Sequence, residues 1–436
     1  MSTGPGPDRA GPPDRLTEMT EPAEITDPAE RAMILSQDGW GRIIALIAAA
    51  DGDISGAEDA LSTALERAVT AWRDQGPPAN PEGWLYRVAL NARRDVWKSA
   101  AARTSTALDE ETIDRLGAGA SELGTDPGDP DALPDRRLEL LAACAHPDID
   151  PPARPLLMLS AVMGMTAKQI ASAMALPAAT VSARLTRAKK RVAGLGVAFG
   201  SPDRLDFESR LPDVHETIYG AFAIEWAHAA TQPRDGMIGE ALYLSRLVAQ
   251  LCPGDGESHG LAALIHLSAA RFPARRSVDG RFVPLTEQNP DLWDRTLTEA
   301  GERHLVEVHR CGHVGRFGLE AAIQLLHMAG IRTGSTDWPM LLRLHDDLEA
   351  IAPSLGGSVS RAAVLAEVDG PEAGLSALDA LDADSKRLSA FQPAWVLRAH
   401  LLTRLGRTEE AAAARRRALD LTTDPAERAY LSVGLT

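Results

Sequence analysis

Arginine and lysine at helical spacing are the residues best suited to do chemistry in this chain. The stretch AATVSARLTRAKKR, from Ala178 to Arg191, sets Thr180, Ala183, Arg184, Arg187, Lys190 and Arg191 on one surface of a helix. Guanidinium groups so arranged can reach base edges in a DNA major groove, and cations at the helix end can neutralise phosphates. Val181, Leu185, Ala188 and Val192 recur at intervals of four, three and four residues and mark the opposite, core-facing side. A shorter helix, Ala167–Met174, precedes this one, with Thr166 placed to cap it through its hydroxyl. The turn Ala175-Leu176-Pro177 joins the two, and Pro151–Met163 reads as an apolar helix ending at Gly164. Two short helices across a tight turn, the second strongly basic, match a helix-turn-helix.

A second set of candidate residues lies upstream. The helix expected from Glu82 to about Ser99 has Trp84, Leu85, Val88, Ala89 and Ala92 on one side. Its other side carries Arg87, Asn91, Arg93, Arg94 and Lys98, either a solvated face of a helical bundle or a nucleic-acid surface. Ahead of it, Ala57–Trp72 has the i, i+3, i+4, i+7 apolar pattern of an amphipathic helix, and Ile43–Ala50 reads as another. The run Gly76-Pro-Pro-Ala-Asn80-Pro breaks the chain between helices.

Other chemistries find little support. His304, His309, His313, His327 and His345, with Cys311, suit neither zinc-finger spacing nor a single helix face, and Cys144-x-His146 is as weak. No metal or other cofactor is expected. Cys144, Cys252 and Cys311 stand too far apart for a disulfide framework. Neither a phosphate loop, a dinucleotide fingerprint nor a nucleophile elbow is present.

The 436 residues predict two or three domains, and Asp plus Glu exceed Lys plus Arg by 61 to 45, a net charge of −16. That total argues against a wholly basic nucleic-acid coat protein, but its distribution is uneven. Residues 1–30 hold seven acidic and two basic side chains among Pro and Gly and read as a disordered tail. Residues 31–103 are balanced at nine each, and 104–135 form an acidic linker with nine acids and one Arg. Residues 136–200 reverse sign to a net +6, and 201–436 return to about −9 in a long run of helices. With 4% aromatic residues and many Ala and Leu, the chain is expected to be all-α. No apolar run reaches the roughly 18 residues of a membrane span, and the N-terminus lacks the apolar stretch of a signal peptide. A cytoplasmic protein without membrane contact is therefore expected.

The stretches AEDALSTALERAVTAW and NPEGWLYRVALNARRDVWKS resemble region 2 of extracytoplasmic-function sigma factors of bacterial RNA polymerase. The stretch IDPPARPLLMLSAVMGMTAKQIASAMALPAATVSARLTRAKKRV resembles sigma region 4, the more specific match. WDRTLTEAG, GRFGLEAAIQLLH, TDW and LAEVDGPEAGLSALDAL resemble the subgroup with a fused tetratricopeptide-like domain. Together the likeness covers roughly residues 31–432. It implies a region 2 helical bundle over 31–103, a region 4 helix-turn-helix over 136–200 and an α-solenoid over 201–436. The helix matching Ile54–Trp72 would dock on the β′ clamp helices of core RNA polymerase, through Glu58, Asp59, Leu61, Leu65 and Trp72. Asn80, Trp84, Arg87, Asn91, Arg93 and Arg94 would recognise and open the −10 element. Thr180, Ser182, Arg184 and Arg187 would read the −35 element, with Lys189, Lys190 and Arg191 on the backbone, and the β flap would hold region 4. The implied protein is an alternative sigma factor, not an enzyme, with a regulatory protein as a candidate partner of its C-terminal domain.

The chain also departs from that pattern. Asp95-Val-Trp-Lys98-Ser replaces a denser basic cluster, Phe222-Ala-Ile-Glu225-Trp226 an aromatic-Asn-Glu-Gly-Tyr run, and Val359-Ser-Arg361-Ala a Leu-Asn-Arg-Ala run. These substitutions motivate one rival, a sigma-like scaffold that has lost promoter function and binds a partner or ligand; a second rival is an enzyme with a pocket between the sigma-like and solenoid domains. In the C-terminal part, Ala394–Leu405 and Thr408–Leu421 form one expected helical hairpin across a turn at Gly406-Arg407, tight at Ala399, Gly406, Ala411, Ala414 and Ala418. Val359–Glu367 with Pro371–Leu381 forms a weaker one. Arg271–Val283 reads as a loop or short hairpin interrupting the array.

Overall fold

A computed structural model describes residues 39–49, 51–104, 135–174, 176–195, 207–228, 236–381 and 385–433. The expected tail 1–30 and nearly all of the acidic linker lie outside them. Every main element among the described residues is helical, and the β pairing found among them is an isolated bridge between Arg276 and Phe282. The all-α expectation is met.

Three helices build the first module: α1 over 39–48, α2 (Ile54–Gln75) and α3 (Pro81–Thr104). Asp53 starts α2 by accepting the Gly56 N–H at 3.0 Å, and Gly76, at φ +72°, ends it. The left-handed backbone at Gly76 is open to a residue without Cβ, so the chain can turn toward Asn80. Asn80 then accepts the Gly83 N–H at 2.7 Å in the first turn of α3.

The second module contains α4 (Arg137–Cys144), α5 (Arg154–Ala161), α6 (Ala167–Ala173) and α7 (Ala178–Gly194). The Pro-rich start expected to be helical is a 3-10 turn, Pro151–Ala153, because Pro151, Pro152 and Pro155 remove amide donors from the helical ladder.

The remainder is a helical array. It runs through α8 (Leu211–His228), α9 (Met237–Leu251), α10 (Gly256–Ala270), α11 (Arg295–Cys311), α12 (Arg316–Thr333) and α13 (Trp338–Ile351). It continues with α14 (Leu355–Val368), α15 (Pro371–Ala380), α16 (Ser385–Ser389), α17 (Gln392–Arg404), α18 (Thr408–Leu421) and α19 (Pro425–Ser432). Helix α10 is its axle: nearly every residue from Gly256 to Ala270 is buried, and α9, α11 and α12 pack round it. Gly260 makes this possible, since a Cβ there would lie 2.4 Å from the Gly318 nitrogen of α12.

The core does not stop at the expected boundaries. One buried cluster runs from Ile43 through Leu61, Leu141, Leu156, Leu185 and Val214 to Ile265 and Met328, joining both small modules to the start of the array. Two further clusters lie between Val359 and Ala414. The far end of the array is also tied back. Arg276 bonds Asp424 at 2.5 Å, Tyr430 donates to Glu287 at 3.2 Å, and the Phe282 and Tyr430 rings meet edge to face. The interrupting loop and α19 thereby close the array upon itself.

Candidate nucleic-acid interface

Recognition of DNA by a helix needs a rigid base, and α5 and α6 supply one. Leu156, Leu157 and Met158 are fully buried in α5, and Ile170 in α6 faces the same core. Thr166 and Gln169 form a reciprocal capping box: the Thr166 hydroxyl accepts the Gln169 N–H at 3.2 Å, and the Gln169 side-chain oxygen accepts the Thr166 N–H at 2.8 Å. Two amides at the start of α6 are thus satisfied without a tertiary partner. Helix α7 buries Val181, Leu185, Ala188 and Val192, the four positions its spacing indicated.

The outer surface of α7 presents Ser182, Arg187, Lys190 and Arg191 to solvent, with Thr180 and Arg184 half-buried. Arg191 holds Asp148 at 3.0 Å, but with its side chain 57% exposed the pair is weak and easily exchanged for a phosphate. Lys189 differs from its neighbours. Its ammonium turns inward to Glu58 of α2, 2.6 Å from the nearer oxygen. Burial raises the Glu58 carboxyl above its ordinary pKa, with Lys189 pulling the other way. The two charges are mutually satisfied rather than displayed.

The −10 candidates separate into two groups. Arg87 and Asn91 are exposed on α3, and Arg94 is half-buried. Trp84 packs its ring against Trp72 at 5.5 Å, and Asn80 is engaged at the start of α3. Arg93 corrects the expectation of a basic outer face. It is 7% exposed and donates to Asp51 at 2.6 Å and to Asp53 at 2.5 Å, beneath the ring of Trp97. Burial alone would lower its pKa, but the two carboxylates outweigh that and raise it. Arg93 ties the loop before α2 to α3. Among the polymerase candidates, Asp59 is exposed and Glu58 and Leu65 half-buried. Leu61, fully buried, and Trp72, 3% exposed, belong to the module's own core, a second correction.

Long-range polar contacts that the linear pattern did not show join this site to the array. Arg154 bonds Asp213 of α8 at 2.8 Å. Arg137 pairs with Asp135 and with Glu240 of α9, and stacks over the Tyr243 ring at 4.4 Å. Within the array His259 and His304 bring ring nitrogens to 3.0 Å, and His266 lies beside His304. His259 and His266 sit on α10 and His304 on α11, so only tertiary packing brings them together. His309, Cys311 and His313 form no such group. Among the described residues no cluster of three or more His, Cys, Asp or Glu could hold a metal ion, and no helix is long and apolar enough to cross a membrane.

Comparison with known proteins agrees with the geometry. Residues 145–192, which contain the whole helix-turn-helix, match the family described as sigma-70, region 4. Residues 210–309 match a family of unknown function, DUF6596. The chain is 34% identical over 383 residues to the uncharacterized protein R00370 of Rhizobium meliloti, covering 87% of this chain and 89% of the relative. It is also 28% identical over 131 residues to the RNA polymerase sigma factor CnrH of Cupriavidus metallidurans, covering 29% of this chain and 68% of that protein. No solved structure shows a significant match. With a relative aligned along nearly its full length, the chain belongs to the family of R00370, and within it residues 145–192 carry a helix-turn-helix that matches sigma-70 region 4.

Proposed function

We propose that the chain is an alternative sigma factor of the extracytoplasmic-function type, acting in the cytoplasm without catalysis of its own. It would bind core RNA polymerase at the β′ clamp helices and β flap, recognise −35 and −10 elements and help to open promoter DNA. A tetratricopeptide-like C-terminal array would modulate that activity, with a regulatory protein as its partner. The observation that carries this reading is the capped helix-turn-helix, whose second helix keeps its apolar side buried while Arg187, Lys190 and Arg191 face solvent. Arg184 and Arg187 would read base edges, Lys190 and Arg191 would meet phosphates, and Arg87, Asn91 and Arg94 would act on the −10 side. The test is run-off transcription by core polymerase from a pool of genomic promoter fragments. A discrete set of start sites is expected, lost in the double variant Arg184→Ala, Arg187→Ala. No polymerase binding by the wild-type chain would remove the reading.

One observation favours a second reading, a ligand- or partner-binding scaffold. A cavity of about 650 Å³ lies where the three modules meet, walled by Trp40, Met163, Leu185 and Met237 with Glu58 and Lys189 beside them. Its size suits a small molecule. Mass spectrometry of protein released from its native host under non-denaturing conditions separates the readings: a stoichiometric small molecule together with inactive transcription would favour the scaffold.

A further inference from the structure

Inside the array, where α10 ends against α12 and α13, several polar groups are buried without partners. Arg271 closes the last turn of α10 and is only 9% exposed. Its Nη2 donates to Gln324 Oε1 of α12 at 3.2 Å, while its Nε has no hydrogen-bond partner among the described residues. Gln324 Nε2 and both ring nitrogens of His345, on α13, are likewise buried and unpartnered there. His327 sits one turn after Gln324 on α12, its ring edge-on to Trp338 at the start of α13. The neighbouring carboxylates are engaged elsewhere. Asp294 caps α11 by accepting the Leu297 N–H at 3.0 Å, Asp346 holds Arg361 at 2.6 Å, and Glu349 accepts from Ser358 at 2.9 Å. The Trp226 ring, 5.9 Å from the Arg271 guanidinium, is already stacked by Arg275 at 4.1 Å and compensates little.

We propose that this cluster is a binding site for a small organic carboxylate, held by Arg271 with Gln324 and His345. The site stands apart from the sigma-factor reading and shares no residue with the walls of the cavity between the modules. A guanidinium taken out of water without a counter-charge is costly, so the fold gains wherever an anion meets it. Burial, reinforced by the Arg275 charge, lowers the Arg271 pKa to about 10, which leaves it cationic near neutral pH. Burial first, then His345 and Arg271 beside it, lowers His327 to about 4, and burial moves His345 down as well. Both rings are therefore neutral near pH 7, and each has one N–H to donate. The cluster holds a single positive charge, which a monoanion balances. A phosphate dianion would leave one negative charge buried and unpaired. The planar edge of a guanidinium matches the two oxygens of a carboxylate, and the orphaned N–H groups of Gln324 and His345 supply further single donors.

The test is thermal unfolding of the full chain near neutral pH in sodium formate, sodium acetate, sodium phosphate or sodium chloride at matched ionic strength. Formate and acetate should raise the midpoint as the logarithm of their concentration, by about 3 °C at about 100 mM, beyond any effect of chloride. Arg271→Met removes the cation. Its midpoint without carboxylate should lie above that of wild type, because no buried charge is left unpaired, and its response to formate should vanish. Gln324→Leu keeps the guanidinium but removes a donor, so it should weaken the response severalfold. It carries the measurement if Arg271→Met fails to fold. A wild-type midpoint that formate and acetate leave at its chloride value overturns the site, as does an equal response in wild type and both variants. A larger response to phosphate than to formate overturns the monoanion assignment. A formate-insensitive wild type joined to a lower midpoint in Arg271→Met also overturns it, since the counter-charge is then supplied by the chain itself.

Discussion

Removing the Arg93 guanidinium would leave Asp51 and Asp53 facing one another in a largely buried site. Losing one partner of a buried pair costs about 3–5 kcal/mol, and Asp53, 36% exposed at its side chain, can relax toward water. Arg93→Met should therefore lower stability by about 3 kcal/mol, read as a drop in the urea midpoint with unchanged slope. The histidines give a second residue-scale outcome. Burial holds His215, His304 and His327 neutral in the folded chain and lowers each pKa from 6.5 to about 4. The unfolded chain binds more protons between those values, so stability should be level above pH 6.5 and decline as pH falls toward 4. A denaturation series across that range checks it, and replacing His304 by Gln should flatten the decline. These sites were not legible in the sequence for a simple reason. Arg93 meets its carboxylates 40 and 42 positions away, and His304 meets His259 across 45, so periodicity along one helix cannot pair them. By contrast Val181, Leu185, Ala188 and Val192 needed only the helix's own repeat, and all four are buried.

Helix α6 is only seven residues long, too short to persist on its own, so its capping box matters more than its length suggests. Thr166→Ala should cost about 1 kcal/mol and weaken DNA binding through looser support of α7, with every solvent-facing cation of that helix still in place. Its salt dependence should therefore match wild type. Arg187→Ala plus Lys190→Ala should instead reduce the slope of log affinity against log salt by about 0.9 for each phosphate no longer neutralised. Affinity titrations at several salt concentrations distinguish the two. At the axle of the array, Gly260→Ala would push α10 off the backbone of α12 and should destabilise by about 1–3 kcal/mol, measured by thermal unfolding. Helix limits were largely legible because caps and breakers are local: Thr166, Gly76 and Gly406 all act where their chemistry suggested. The close contact of Gly41 with the Val162 carbonyl was not, since it joins two backbones with no side-chain pattern to announce it.

Mapped by charge, the chain divides into basic and acidic stretches, yet its hydrophobic core ignores that division. Leu141, Leu156 and Leu185 share one buried cluster with Val214, Leu244 and Ile265. Deleting residues 201–436 would strip apolar cover from the helix-turn-helix and leave Arg154 and Arg137 without Asp213 and Glu240. The fragment 31–200 should bind a hydrophobic dye strongly and melt below the full chain. The array was expected as an α-solenoid of stacked helical pairs, and the hairpins α14–α15 and α17–α18 are present. The tie from Arg276 to Asp424 spans 148 positions, and that from Glu287 to Tyr430 spans 143. Stacked hairpins with loose ends fray inward from the terminus one unit at a time. Here the last helix is moored to the first third of the array, so a pull on the C-terminus loads a loop rather than unzipping helices in turn. Drawn from its end, the array should give way in a single rupture, not as a ladder of small steps.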